Sequence, residues 1–219
     1  MINQILGYHF NNPLLLNEAL THPSLRSGHK SLSYERLEFL GDSVLSFIIS
    51  ELLMNNFPTE EEGKLAKRRA YLVSGEMITK IATQVNLGDK IIMTEAESKS
   101  GGRENDHNLE NVLEAIIAAI YFDGGFPSIK PIIYDLWQPF IEQMVEVPID
   151  SKSKLQEILQ SKAKGLPQYK LIESSGPEHM LTFKISLLVD GYEEVVATGK
   201  SKQQAEKNAA TLLLEKMNE

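Results

Sequence analysis

The sequence predicts an all-α domain over residues 1–145 and a compact α+β unit over residues 153–219, joined by a linker at 146–152. Three observations carry this. Apolar residues recur at helical spacing throughout the first part. The composition shifts at Glu146-Val147-Pro148-Ile149-Asp150-Ser151-Lys152-Ser153, which is short, polar and contains proline. Beyond it, strand-like runs separated by glycine turns precede a closing helix.

The elements follow in order. Pro13 to Leu20, with Leu14, Leu15 and Leu16, is a short helix ending near Thr21-His22-Pro23. Glu35 to Asn55 is a long, mostly buried helix with a narrow polar side of Arg36, Ser43, Ser46 and Ser50. Pro58-Thr59 signals the start of a charged helix from Glu60 to Ser74. Glu76 to Val85 is another, stopped by Asn86-Leu87-Gly88. Thr94 to Asn108 is polar, carries Gly101-Gly102 and reads as a loop. Asn108 to Phe122 places Leu109, Val112, Leu113, Ile116, Ile117 and Ile120 on one apolar stripe. Asp123-Gly124-Gly125 ends that helix, and a last one runs from about Ser128 to Met144.

In the second unit, Lys154 to Ala163 is helical. Gln168 to Ile172, Leu181 to Val189 and Glu193 to Thr198 are strands, with Asp190-Gly191 as a hairpin turn. Ser201 caps a helix to Met217. The α-β-β-β-α order builds a three-stranded antiparallel sheet with both helices on one face.

The chain has no cysteine, which excludes disulfides and thiolate metal sites. Met1-Ile2-Asn3-Gln4 lacks a basic segment followed by an apolar one, so no signal peptide is expected. The apolar run Val112 to Phe122 is too short to span a bilayer and contains Glu114, so no membrane is expected and the cytoplasm is the default location. Residues 1–148 carry 12 Lys+Arg against 20 Asp+Glu, whereas residues 149–219 carry 10 against 10. Bulk charge therefore gives no support for nucleic-acid binding, which must rest on local patches.

Glu38 and Asp42 stand four residues apart in an apolar helical pattern, so they share a side of the helix with Leu45 and Ile49. Acids among core residues require a cationic partner. Asn111 and Glu114, three apart on a later helix beside Ala115 and Ala118, complete an all-oxygen set if the two helices pack. Such a set suits Mg²⁺ or Mn²⁺. The same spacing is also met by an acid pair on a solvated face, or by bridges from Glu38 to Arg36, Arg68 or Arg69.

The run Glu35-Arg36-Leu37-Glu38-Phe39-Leu40-Gly41-Asp42-Ser43-Val44-Leu45 resembles the signature of the ribonuclease III family, Mg²⁺-dependent endonucleases of double-stranded RNA. Leu20-Thr21-His22-Pro23-Ser24, Gly63-Lys64-Leu65 with Arg68 and Arg69, Ser100-Gly101-Gly102-Arg103 and Leu113-Glu114-Ala115 agree in order. The resemblance implies that Glu38, Asp42 and Glu114 are metal ligands, that Asp42 and Glu114 are the catalytic pair, and that Mg²⁺ is the cofactor with Mn²⁺ as substitute. Asn111 takes the fourth metal position, where the family has aspartate; its amide oxygen can ligate but brings no charge. Glu110 is not expected to replace it, because adjacent helical residues point about 100° apart.

The second unit resembles a double-stranded-RNA-binding domain through Leu155-Gln156-Glu157, Leu166-Pro167-Gln168-Tyr169, Gly176-Pro177-Glu178-His179 and the run from Gly199 to Glu206. The resemblance implies minor-groove contacts from Gln156 and His179, and phosphate contacts from Lys202 and, more weakly, Lys207. Gln203 stands where the family often has a second lysine. Each residue alone is equally at home as an ordinary surface side chain. The whole resemblance implies a homodimeric endoribonuclease that acts on double-stranded RNA, processes precursor ribosomal RNA and other structured RNAs, including messengers, and leaves 5′-phosphate and 3′-hydroxyl ends with short 3′ overhangs. The competing expectation is an RNA-binding protein of the same fold with weakened or lost cleavage, which Asn111 alone favours.

Overall fold

Buried apolar residues assemble two separate cores in the computed structural model, one in Met1–Pro148 and one in Ile149–Glu219. The structure describes residues 4–25, 32–144, 146–147, 150–176 and 181–218, with the side chain of residue 218 excepted.

The first unit begins with a two-residue hairpin, β1 (Gln4–Ile5) and β2 (Tyr8–His9). Asp123 fastens it by accepting from the Tyr8 hydroxyl and from the backbone N–H groups of Asn11 and Asn12. The helices α1 (Pro13–Leu20), α2 (Glu35–Asn56), α3 (Glu62–Leu72), α4 (Gly75–Gln84), α5 (Glu95–Lys99) and α6 (Asp106–Glu142) follow. Asn12 caps α1, Ser74 caps α4 and Asn105 caps α6, each by a side-chain oxygen on first-turn N–H groups.

The helix break expected at Asp123-Gly124-Gly125 is present: Gly125, with a φ of 69° that favours glycine, interrupts α6. Two differences from the sequence expectation have physical causes. The polar segment 94–108 is not all loop: Thr94 accepts from the Glu97 N–H and starts α5, and Asn105 caps α6, which begins at Asp106, two residues before Asn108. And α2 is not mostly buried: Leu37, Val44, Leu45, Ile48, Ile49, Leu52 and Leu53 face the core, but Phe39 is 81% exposed and Phe47 and Met54 are exposed with it.

By length and composition α6 could cross a membrane, yet 56% of its most apolar window is buried inside the unit. Ile116, Ile117, Ile120, Ile129, Ile133 and Trp137 of α6 are buried on all sides, and the Trp137 indole N–H donates to the Leu72 carbonyl. It is the central core helix, and α2 lies along it in the most extensive helix pairing of the unit.

The second unit is α7 (Ser151–Ser161), β3 (Gln168–Ser175), β4 (Thr182–Leu188), β5 (Val195–Gly199) and α8 (Lys202–Asn218). The sheet order is β3-β4-β5, antiparallel throughout, with a bulge at Ile172. Leu155 and Leu159 of α7, Leu187, Val195 and Ala197 of the sheet, and Ala209, Ala210, Leu213 and Leu214 of α8 form its core. This is the α-β-β-β-α layout expected. The helix α7 starts inside the segment expected as linker, because Asp150 accepts from the N–H groups of Lys152 and Ser153.

Candidate functional site

Glu38 and Asp42 lie on α2 on either side of Gly41, and Gly41 is where α2 meets α6. A Cβ placed on Gly41 would stand 1.9 Å from the Glu114 carbonyl oxygen and 3.0 Å from its Cα. Only glycine permits that approach. The backbone carrying Glu114 therefore lies directly against α2 at Gly41, the residue next to Asp42 and three from Glu38.

Charges from α2 and α6 act on one another. Glu114 is 7% exposed, and burial pushes its carboxyl up to about 8, helped by the negative charges of Asp42, Glu110 and Glu38. Glu38 is half-buried and raised as well, by burial and then by Glu35 and Glu110. Asp42 is exposed. Asn111 is half-buried, and burial pushes the ionisation of nearby Tyr34 up to about 12.

None of these acids has found a protein cation among the described residues. Arg68, 2% exposed, is clamped on Glu60 at 2.8 Å through both Nε and Nη2, and its Nη1 donates to the Met144 and Glu146 carbonyls. Arg69 donates to Ser50. Arg36 acts on Glu18. The bridges open to Glu38 from the sequence are thus engaged elsewhere.

Asp123 shows what a structural acid looks like in this fold: several donors converge on it, and they hold its carboxyl below the ordinary carboxylate range although partial burial opposes them. Glu38 and Glu114 are raised instead. Glu114, buried beside the charges of Asp42, Glu110 and Glu38, is an acid that an external cation would suit. Among the described residues no three acids stand within chelating distance of one point.

Sequence reasoning missed two participants. Glu110, not expected to replace Asn111 as a ligand, still adds its negative charge to the causes that raise Glu38 and Glu114. The available signal was its distance of four residues from Glu114, the same spacing as Glu38 to Asp42. The second is a buried polar cluster beside the acids. Asn108 accepts from the Tyr34 hydroxyl at 3.2 Å, lies 3.1 Å from His22 Nε2 and donates to the Gly102 carbonyl at 2.9 Å. Arg103 holds the same loop by donating to the Gly88 and Ile91 carbonyls and to Ser98.

In the second unit, Gln156 is exposed on α7 and Lys202 is exposed at the first position of α8, where Ser201 accepts from the Gln204 N–H. Lys207 is half-buried further along α8. His179 lies outside the described residues. Lys202 stands at the positive end of the helix dipole.

Comparison with known proteins supplies a family for both units. Residues 12–138 match the family model described as ribonuclease-III-like, and residues 151–217 match the double-stranded RNA binding motif. Ribonuclease 3 of Ehrlichia chaffeensis is 46% identical over 218 residues, covering 99% of this chain and 96% of its own length. Ribonuclease 3 of Rickettsia bellii is 48% identical over 219 residues, with the same coverages. Among solved structures, the nuclease domain of ribonuclease III from Campylobacter jejuni superposes with a TM-score of 0.58 at 45% identity, covering 61% of this chain and 92% of that domain.

Proposed function

The chain belongs to the ribonuclease III family, and we propose that it is a Mg²⁺-dependent enzyme that cuts double-stranded RNA at the Glu38–Asp42–Asn111–Glu114 site. That it is a ribonuclease III-type endoribonuclease follows from its relatives. The metal, the residues and the substrates are the proposal. The observation that carries it is the crossing at Gly41, which sets a buried Glu114, raised to about 8, among the charges of Asp42, Glu110 and Glu38.

Each residue has a task. Glu38 and Asp42 hold the cation from α2, and Glu114 holds it from α6. Asn111 offers an amide oxygen. An all-oxygen set favours Mg²⁺, with Mn²⁺ as substitute. A divalent ion held by these residues would supply activation of a water for attack on the phosphodiester and compensation of charge on the departing oxygen. Glu114, proton-bound without the ion, must give up that proton when the ion binds, which ties metal uptake to pH. The buried cluster of His22, Tyr34 and Asn108 fixes the start of α6, and with it the depth of Asn111 and Glu114.

The second unit supplies the grip on RNA. Gln156 and His179 face minor grooves and Lys202 meets phosphate, with Lys207 secondary. The exposed row of Phe39, Ser43, Phe47 and Met54 along α2 supports a homodimer formed through the first unit. The solved Campylobacter jejuni nuclease domain likewise has a region involved in dimer formation. Precursor ribosomal RNA and structured messengers in the cytoplasm are the substrates this reading assigns.

The test is to incubate the full chain with long double-stranded RNA, single-stranded RNA and double-stranded DNA over a range of Mg²⁺ and Mn²⁺. Cleavage of the double-stranded RNA alone, dependent on the metal, is expected. Double-stranded RNA that is bound but uncut across the whole metal range contradicts the proposal.

A further inference from the structure

An acid stands one turn into the helix that is assigned to phosphate. Lys202 is the first residue of α8, and Glu206, four residues later, lies on the same side of that helix. A carboxylate there opposes the charge of an RNA backbone. Its partner is on the other helix of the unit. Glu206 Oε2 accepts from Lys152 Nζ at 2.5 Å, and Lys152 belongs to the first turn of α7. Gln156 follows Lys152 by four residues and so shares its side of α7. The ion pair thus stands one helical turn from each of two residues assigned to RNA, and it ties together the two helices that carry them.

The pair is built in rather than loosely met. Both side chains are half-buried. The Asp150 side chain accepts from the Lys152 N–H at 3.0 Å, which fixes the backbone from which the lysine leaves. The Tyr169 ring of β3 lies 4.9 Å from the ammonium, a cation–π contact. The hydroxyls of Ser151 and Thr211 hydrogen-bond at 2.7 Å, a second polar tie between α7 and α8. The caps at Asp150 and Ser201 order each helix by itself. The Lys152–Glu206 pair sets one against the other.

We propose that the Lys152–Glu206 ion pair is a positioning element for double-stranded RNA, which fixes the spacing between Gln156 and Lys202 so that the minor-groove and phosphate contacts form together. The inference rests on the RNA-binding reading of the second unit above. An RNA duplex presents its minor groove and its phosphates at a set separation. A spacing preset in the free protein removes the cost of ordering the two helices on binding. Lys152 and Glu206 act through Gln156 and Lys202 and do not themselves touch RNA.

Equilibrium binding of the full chain to a short RNA duplex, in chelator, tests this by its sign. Simple charge repulsion makes Glu206→Gln, which removes a negative charge from the Lys202 side of α8, bind RNA more tightly. The positioning role predicts the reverse. Glu206→Gln and Lys152→Met should each weaken binding about fivefold, the upper range for a half-exposed ion pair. The double variant should be no weaker than either. The slope of log affinity against log salt should not change, because no phosphate contact is lost, and Lys152→Arg should keep the affinity. Tighter or unchanged binding by Glu206→Gln overturns the proposal. A slope lowered by about 1 in Lys152→Met overturns it too, since that makes Lys152 a phosphate contact. A smaller RNA-competent fraction at unchanged affinity, or a loss in Lys152→Arg equal to that in Lys152→Met, reduces the pair to a fold-steadying contact and overturns it as well. Gln156→Ala and Lys202→Ala separate the two levels. If they weaken binding while the ion-pair variants do not, the positioning role falls alone. If neither weakens binding, the RNA-binding reading of these residues falls with it.

Discussion

Glu114→Gln should make the metal-free protein more stable at high pH, although it removes a proposed catalytic group. Glu114 ionises near 4.5 in an unfolded chain and at about 8 in the fold. An acid raised on folding contributes stability that is fully present below pH 4.5 and is lost as the pH climbs through 8. Each pH unit across that gap corresponds to about 1.4 kcal/mol, so the gap sets a ceiling of roughly 5 kcal/mol. Glutamine has nearly the same shape and never ionises. The variant's advantage over the unaltered chain should therefore be under about 1 kcal/mol at pH 5 and grow to several kcal/mol by pH 9. Trp137, the single tryptophan, is buried in the core of the first unit and reports on that unit alone. Urea unfolding followed by its fluorescence, in chelator at pH 5 and pH 9, measures the difference. An advantage that is the same at both pH values, or a loss at pH 9, would refute the view that Glu114 is a buried acid repelled by its neighbours.

Three further outcomes are expected. Gly41→Ala drives a Cβ into the Glu114 backbone, 1.9 Å from its carbonyl oxygen, and should cost roughly 3 kcal/mol or more in the same unfolding assay; a cost under about 1 kcal/mol would show that α2 and α6 do not cross there. Lys202→Ala should weaken binding to double-stranded RNA and lower the slope of log affinity against log salt by about 1, and an unchanged slope in filter binding would remove Lys202 from the phosphate contacts. Phe39→Asp should shift the chain toward monomer in light scattering, because a charge on a residue 81% exposed in the protomer costs little until another copy covers it; an unchanged mass would place any dimer contact elsewhere.

Much of the architecture was legible because it follows from local rules. The α2 acids, the Asp190-Gly191 turn and the Ser201 cap depend on spacing and on short-range hydrogen bonds, and these are written along the chain. What was not legible depends on partners distant in sequence. Asn108 is a polar residue that becomes buried because His22 and Tyr34, more than seventy residues earlier, satisfy it. The Glu110 carboxylate lies against Gly75 of α4, thirty-five residues earlier. The short helix α5 has no apolar period and owes its start to the Thr94 side chain. Phe39 breaks the buried pattern of α2 because it lies on a face of that helix left exposed by the described residues of the first unit. Gly41 was readable as part of a signature, but its purpose, the contact with the Glu114 backbone, appears only when α2 and α6 are seen together.

The central claim is that carboxylates from α2 and α6 hold a divalent cation that cuts RNA gripped by the second unit. The most direct measurement compares Glu114→Gln with the unaltered chain, in Mg²⁺, for both cleavage of long double-stranded RNA and retention of that RNA on a gel. The account predicts that the variant retains the RNA with unchanged affinity and leaves it uncut. Cleavage by Glu114→Gln at the unaltered rate would contradict it.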